Sequence, residues 1–443
     1  MFRIGLECHS RIASKTKLFS NAENFVYKAN AAVNSCVSHF DLGFPGILPL
    51  LNEECLEKAI RAGLLLNCRI SDAVLFDRKH YHYKDMPSGY QITQKRLPIA
   101  SAGEFNSIPI KAIQLENDTA KMLRQIHESS FEMDFNRSGL GLLEIVTAPS
   151  FQSVKEAVSF ASQLNQLLVL NDIADEHVES GSFRVDANIN FFSTRTGMQL
   201  PVVEVKNVMG FSFLEKALEY EVNRQLALIH ARKEQEIQKE TRMFCQKKLK
   251  TFPIRSKKDY IFVPEFDLPH NISTKRFLQK ASEMNKFYSQ AFTEVPSKHR
   301  NYLFNSSTSK QLYLAYRRTF TNNEPASEKA IKFICNELAR AKVSTQTDKL
   351  CQLVKAFDQG IISTKAASFI LSKMDTEDLS IDQFIAKYDL KFVSDANQVK
   401  QAVDLFKKTH SKHDIATFAS LTLGKYDLSE AKRHFIQNRH DRD

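Results

Sequence analysis

The alternation of apolar and polar positions changes character near Pro269. Before it, short β-like runs are punctuated by turn residues at Phe44-Pro45-Gly46, Met86-Pro87-Ser88-Gly89 and Ser101-Ala102-Gly103, the pattern of strands joined by tight connections. Val74 to Phe76, Ile108 to Leu115, Gly181 to Phe192 and Val202 to Val205 partly alternate and are predicted to be strands. Ser153 and Glu156 have capping-box spacing, and Val154, Ala157, Val158, Ala161, Leu164 and Leu168 then recur on one helical face. Ser212 and Glu215 repeat that spacing ahead of the stripe Leu214, Ala217, Leu218, Val222 and Leu226, with basic residues toward its end. Both stripes are read as core. Beyond Pro269 helical periods dominate, punctuated by Pro296, Pro325 and Gly360. The stripe Leu350, Leu353, Val354, Phe357 stops at Gly360, which reads as a C′ glycine. Short helices are expected from Ile361, ending in the mixed-charge tail Arg439 to Asp443.

The fold class expected is therefore α+β followed by an all-α region. A chain of 443 residues is too long for one ordinary core, so two or three domains are expected. No apolar run approaches the ~20 residues of a membrane span, so membrane insertion is not expected. The N-terminus enters Ile4-Gly5-Leu6-Glu7 with no presequence in view, which leaves the compartment open. Seven scattered cysteines without a C-x-x-C pair are read as free thiols, and Cys8 as buried packing.

A net charge of +10 fits a polyanionic partner such as nucleic acid, and solubility alone also explains such an excess. Its distribution says more. Between Pro296 and Gly360 there are eleven Lys/Arg against five Asp/Glu, whereas Met1 to Val295 carries 37 against 34.

The segment from Phe76 to Gln94 is dense in polar and aromatic groups. Arg78 and Lys79 can hold phosphates, and Tyr81, Tyr83 and Tyr90 offer stacking faces suited to a nucleotide or an RNA end. A solvated hairpin rim explains the same composition. Glu7, Glu116, Asp118, Glu144, Asp186 and Glu204 sit in apolar, strand-like surroundings where an unpaired charge is costly. With His9 they would suit Mg²⁺ or Mn²⁺ better than zinc; singly, such a carboxylate is more often a satisfied structural group than a ligand. There is no G-x-x-x-x-G-K-[ST] loop and no G-x-G-x-x-G after a strand, so an ATP site has to be non-standard. No Ser/His/Asp or Cys/His arrangement stands out for nucleophilic hydrolysis.

These segments resemble the GatB family, the B subunits of GatCAB-type tRNA-dependent amidotransferases. Ile4-Gly5-Leu6-Glu7-Cys8-His9 is similar to the family's IGLEVH, Phe44 to Pro49 to its PG-LP turn, and Phe76 to Gln94 to its FDRKNYFYPD-PKGYQITQ block. Asn136-Arg137-Ser138-Gly139, Leu143 to Val146, Gly181 to Asn188, Glu204-Val205-Lys206-Asn207 and Pro264 to Pro269 continue the series in order. The resemblance implies a catalytic cradle domain with a mixed or antiparallel sheet (1–295), a helical domain (296–360) and a small divergent tail domain (361–443). It implies a ligase that phosphorylates the γ-carboxylate of Glu-tRNA(Gln) with ATP and Mg²⁺. Ammonia, delivered from glutamine by a GatA-type amidase subunit, then displaces phosphate to give Gln-tRNA(Gln). A third small subunit, GatC type or a fungal equivalent, is also implied.

Carried over by position, Glu7, His9, Glu144, Asp186 and Lys206 are expected to be catalytic, and Arg78, Lys79, Tyr81, Tyr90 and Gln91 to bind the nucleotide. Glu7, His9, Glu116, Asn117, Glu144, Asp186 and Glu204 are expected to hold metal. Asn117 departs from the family, which usually has a carboxylate there; Ser88 and the end of the chain also depart. These departures and the basic balance point to a fungal mitochondrial version in the matrix, or a cytoplasmic one if the source is a prokaryote. A tRNA-binding scaffold without catalysis, supported by Asn117, and an unrelated metal-dependent hydrolase are the rival readings.

Overall fold

The computed structural model describes residues 2–25, 31–80, 82–127, 130–175, 178, 181–192, 199–256, 260–270, 272–304, 307–320, 326–338, 347–410 and 414–437. Tyr81, Pro325 and the tail Arg439 to Asp443 lie outside them. The chain forms two compact units, Met1–Tyr288 and Ser289–Asp443.

The strands of the first unit, in chain order, are β1 (Phe2–Arg11), β2 (Arg69–Ile70), β3 (Ala73–Val74), β4 (Asp77–His80), β5 (Tyr90–Thr93), β6 (Ala100–Phe105), β7 (Ile108–Asn117) and β8 (Lys121–His127). They continue with β9 (Ser130–Asp134), β10 (Gly141–Thr147), β11 (Phe183–Phe191), β12 (Val203–Met209), β13 (Glu240–Cys245), β14 (Lys250–Ser256), β15 (Ile261–Pro264) and β16 (Ile272–Ser273). A nine-stranded sheet runs β14-β13-β12-β11-β1-β10-β7-β6-β2. Its pairings are antiparallel except β12 with β13, so the sheet is mixed. A smaller sheet, β15-β4-β5, packs beside β7.

One face of the large sheet is covered by α1 (Glu53–Leu65), α2 (Val154–Leu170) and α3 (Phe211–His230). The alternation of β1 shows why: Leu6 and Cys8 are buried in the core with Ile60, Leu164 and Leu218, while Glu7 and His9 leave the opposite face. The uncovered face is where the polar residues gather.

The helix starts differ in their chemistry. The Ser153 side chain accepts from the Glu156 amide as expected, but Glu156 Oε2 reaches back to the Gln152 amide at 3.1 Å and not to Ser153, so the box is only half closed. At α3 the expected Ser212 cap is absent. Gly210, at φ 86°, precedes the helix without a side-chain bond, and Ser212 lies inside the first turn; Arg232 and Lys233 fall beyond the last residue. Val74 to Phe76 is not one strand, because the Leu75 and Phe76 carbonyls are taken by the Gln94 side chain and the Glu265 amide. Ser101-Ala102-Gly103 is a left-handed kink at Ala102 (φ 53°) inside β6 and not a turn. Past Pro269, β16 still pairs with β3 before the helices begin.

α4 (Lys275–Glu294) leads into the second unit, which is helical: α5 (Ser297–Phe304), α6 (Ser307–Phe320), α7 (Glu328–Phe333), α8 (Thr347–Asp358), α9 (Thr364–Lys373), α10 (Ile381–Lys387), α11 (Ala396–Thr409), α12 (Ile415–Leu421) and α13 (Leu428–Gln437). Gly360, at φ 72°, ends α8 in a Schellman motif. The Ile361 amide bonds the Ala356 carbonyl (2.9 Å) and the Gly360 amide that of Phe357 (3.1 Å). The last helices bury their own cluster of Val399, Val403, Phe406, Phe418 and Ala431.

Candidate functional site

Strand β1 is the spine of the site. Antiparallel register sets Glu144 of β10 opposite His9, and Asp186 of β11 opposite Glu7. Gln114 of β7 faces Glu144, and Glu204 of β12 faces Asn188. Glu116, two residues beyond Gln114, shares its face. A register shift between Val185 and Ala187, with Asn207 at φ 58°, turns Lys206 and the Asn207 amide onto Asp186.

Two donor groups result: His9 with Glu116 and Glu144, and Glu7 with Asp186 and Glu204. Within each, one ligand atom per residue lies within 4.8 Å of the others. His9 Nε2 is 3.5 Å from both Glu116 Oε1 and Glu144 Oε2. Lys206 Nζ is 3.2 Å from Asp186 Oδ2 and 3.6 Å from Glu204 Oε1. The Asn207 amide donates to Asp186 (2.7 Å), the Thr241 hydroxyl to Glu204 (2.7 Å), the Asn188 amide to Glu7 (2.9 Å) and the Gln114 amide to Glu144 (3.2 Å).

This concentration of charge perturbs every member whose shift is large. Burial alone would lower the His9 imidazole, but its bond with Glu144 and the charges of Glu116, Glu144 and Asp186 push it up to about 9. Burial, then Glu144, raises Glu116, whereas His9 holds Glu144 low against its burial. Glu7 is raised by burial and by Glu144 and Asp186. Asp186 stays below the usual carboxylate range because Lys206, His9 and the Asn207 amide outweigh its burial. Lys206 rises, against burial, beside Asp186 and Glu204.

Glu116 Oε2 is buried without a hydrogen-bond partner, an arrangement that costs about 1–3 kcal/mol unless another group satisfies it. Five carboxylates, one imidazole and an orphaned carboxylate oxygen fit a hard divalent cation.

A cavity of about 630 Å³ opens beside these groups, lined by Glu7, Glu144, Glu204 and Lys206 and by Lys79, Lys95, Thr93, Thr241, Tyr260 and Phe262. Of the expected nucleotide residues that are described, only Lys79 lines it, with Nζ 5.0 Å from the Tyr260 ring centre. Arg78 leaves the other face of β4. It is locked to Glu265 by two 2.8 Å bonds and to Asp267 by one of 2.6 Å, and it lies 4.5 Å over the Tyr90 ring, so Arg78 and Tyr90 form a clamp outside the cavity. Gln91 donates to the Asn117 carbonyl (2.8 Å) and is likewise withdrawn. Asn117 lies on the face of β7 opposite Glu116, where its side-chain oxygen accepts the Ile92 amide at 2.7 Å; it joins neither donor group. Asp118 is paired with Arg184 (3.1 Å) and Arg137 (3.6 Å) and stands apart as well. Tyr81 falls outside the described residues.

Sequence reasoning missed Lys95, Thr241, Tyr260 and Phe262. Tyr260 and Phe262 carried a signal, an aromatic pair at strand spacing just ahead of the Pro264-Glu265-Phe266-Asp267 motif.

The mixed sheet thus carries a catalytic-type site, with acids, an imidazole and lysines gathered on one face beside a cavity. Residues 2–279 match the GatB/GatE catalytic domain and residues 318–415 the GatB domain, and the chain belongs to the GatB family. The B subunit of the mitochondrial glutamyl-tRNA(Gln) amidotransferase of Danio rerio is 32% identical over 92% of this chain and 81% of its own length. The B subunit of the aspartyl/glutamyl-tRNA(Asn/Gln) amidotransferase of Campylobacter jejuni is 34% identical over 90% of this chain and 88% of its own. The corresponding human mitochondrial glutamyl-tRNA(Gln) amidotransferase chain is 41% identical over 60% of this chain and 50% of its own.

Proposed function

We propose that this chain is the B subunit of a glutamyl-tRNA(Gln) amidotransferase, acting as a ligase within a complex. It holds tRNA(Gln) charged with glutamate while ATP phosphorylates the γ-carboxylate, and ammonia then displaces phosphate to leave Gln-tRNA(Gln). The observation that carries this reading is the convergence of Glu7, His9, Glu116, Glu144, Asp186 and Glu204 on one sheet face beside a lysine-lined cavity.

Those six residues would hold Mg²⁺, which when bound neutralises phosphate charge during transfer. Lys79, Lys95 and Lys206 give the cavity fixed positive charge for phosphate oxygens and for the γ-carboxylate. Lys206, tethered between Asp186 and Glu204, is already oriented before substrate arrives, so little reorganisation is needed. Asn117 lends no support to a catalytically silent scaffold, because its side chain leaves the carboxylate face.

Ammonia would come from a GatA-type amidase subunit, with a third small subunit of GatC type or a fungal equivalent completing a heterotrimer. Residues 1–295 would be the catalytic cradle, 296–360 the helical domain and 361–443 the tail domain. The mitochondrial matrix is the proposed location, as the names of the zebrafish and human relatives favour. Among the described residues no helix is long and apolar enough to cross a membrane.

The test is reconstitution with an amidase subunit, Glu-tRNA(Gln), ATP and glutamine, followed by identification of the esterified amino acid. Glutamine on the tRNA, dependent on ATP, is expected; unchanged glutamate would overturn the reading.

A further inference from the structure

The polar face does not end at the cavity. Thr241, which lines it, is followed two residues along β13 by Met243 on the same face. Met243 stands opposite Lys206 across β12 and opposite Phe252 across β14. Arg242 and Phe244 point the other way and are buried. Met243 is 49% exposed, Phe252 39% and Ile254 52%, an apolar apron continuous with the polar site. The turn joining β13 and β14 carries Lys247 and Lys248, both exposed, and Lys248 Nζ is 5.4 Å from the Phe252 ring centre.

We propose that Met243 and Phe252 seat the unpaired terminal nucleoside of the charged RNA, with Lys247 and Lys248 on its flanking phosphates; this rests on the tRNA-dependent reading above. Tether length carries the argument. An extended glutamyl ester places its γ-carboxylate about 6 Å from the ester oxygen, and the base lies about 5 Å further on. Two strand spacings of about 4.8 Å lead from β12, which bears Glu204 and Lys206, to β14, which bears Phe252. A γ-carboxylate at Lys206 therefore has its own base within reach of the apron. An aromatic ring, a polarisable thioether and flanking lysines are the chemistry that takes a single-stranded base and its phosphates.

The test uses the reconstituted complex and tRNA(Gln) whose terminal adenine is replaced by 2-aminopurine, a base whose fluorescence falls on stacking. With wild-type protein the signal is expected to be quenched. In M243S/F252A the quench should vanish and KM for charged tRNA should rise about tenfold, with KM for ATP unchanged. Phe252→Trp, which keeps a ring, should restore both. The proposal is overturned if the double variant keeps the quench and its tRNA KM. It is also overturned if KM rises for ATP instead, which would put the nucleotide's base there, or if the variant no longer binds the amidase, which would make the apron a protein interface. A wild-type complex that forms no Gln-tRNA would refute the proposed function itself, a result distinct from any of these.

Discussion

The Ile92 amide donates to the side-chain oxygen of Asn117 at 2.7 Å, and that bond fastens β5 to the end of β7 on the face away from Glu116. A carboxylate at this position would accept the same bond. Asn117→Asp is therefore expected to leave the magnesium dependence of amidation within about twofold of wild type, read as activity across a magnesium titration. Asn117→Leu, which strips the Ile92 amide of its acceptor, should instead cost about 1–3 kcal/mol of stability in urea unfolding.

Asp186 holds Lys206 and sits opposite Glu7, so under the proposed function its charge acts on the reacting groups and not on the basic surface. Asp186→Asn should lower kcat by about 10²–10³ while leaving tRNA affinity nearly intact. Parallel filter-binding and amidation assays check this; near-normal amidation would remove Asp186 from the site.

The raised His9 pKa sets a pH dependence. Its folded value, about 9, lies above the ordinary value of 6.5, so the stabilisation it contributes is full below about 6.5 and is lost as pH rises through 9. Metal-free protein should thus lose up to about 3 kcal/mol between those limits. Urea unfolding in chelator at the two pH values, for wild type and His9→Asn, isolates the effect, and a variant with the same pH slope as wild type would refute it. Because protons and cation compete for the same carboxylates and imidazole, added Mg²⁺ should stabilise the protein more at about pH 8 than at about pH 6.

Not all of the basic excess between Pro296 and Gly360 is available to RNA. Arg317 is buried against Glu294 at 2.7 Å, and Arg300 is spent on the carbonyls of Thr293 and Val295. Arg318, Lys329 and Lys332 are exposed. Their triple alanine variant should weaken tRNA binding and shallow the salt dependence by about two to three charges' worth, whereas an unchanged slope would place the tRNA elsewhere.

The α+β division was legible because strand alternation and helical periods are local properties, whereas the donor set was singled out by its apolar surroundings and its convergence was implied only by the family resemblance. The face of each strand was not. Arg78 and Lys79 are neighbours with equal claim to a phosphate, yet the pleat sends Lys79 to the cavity and Arg78 to Glu265. The same parity removes Asn117 while keeping Glu116. Sequence alone cannot say which face is covered by helices, since that depends on pairings such as Glu7 with Asp186 between distant segments. The start of α3 differs from expectation for another reason: Ser212 matches a capping pattern, but Gly210, free to adopt φ 86°, lets the chain enter the helix earlier.

Strand β1 lies at the centre of the large sheet, yet it is synthesised before the other described strands. Its neighbours β10 and β11, and β12 with Glu204, follow far downstream. At translation speeds of about 5–20 residues per second, the Glu7 strand waits roughly 10–40 s for Glu204 to emerge. Within that interval one edge of a half-apolar strand stays open until β10 emerges and the other until β11 does, and the acid group of Glu7 and Asp186 lacks Glu204 to the end. Completion of the acidic cluster is thus a late event of biogenesis, and the nascent chain is exposed to strand-edge aggregation until β10 and β11 have paired with β1.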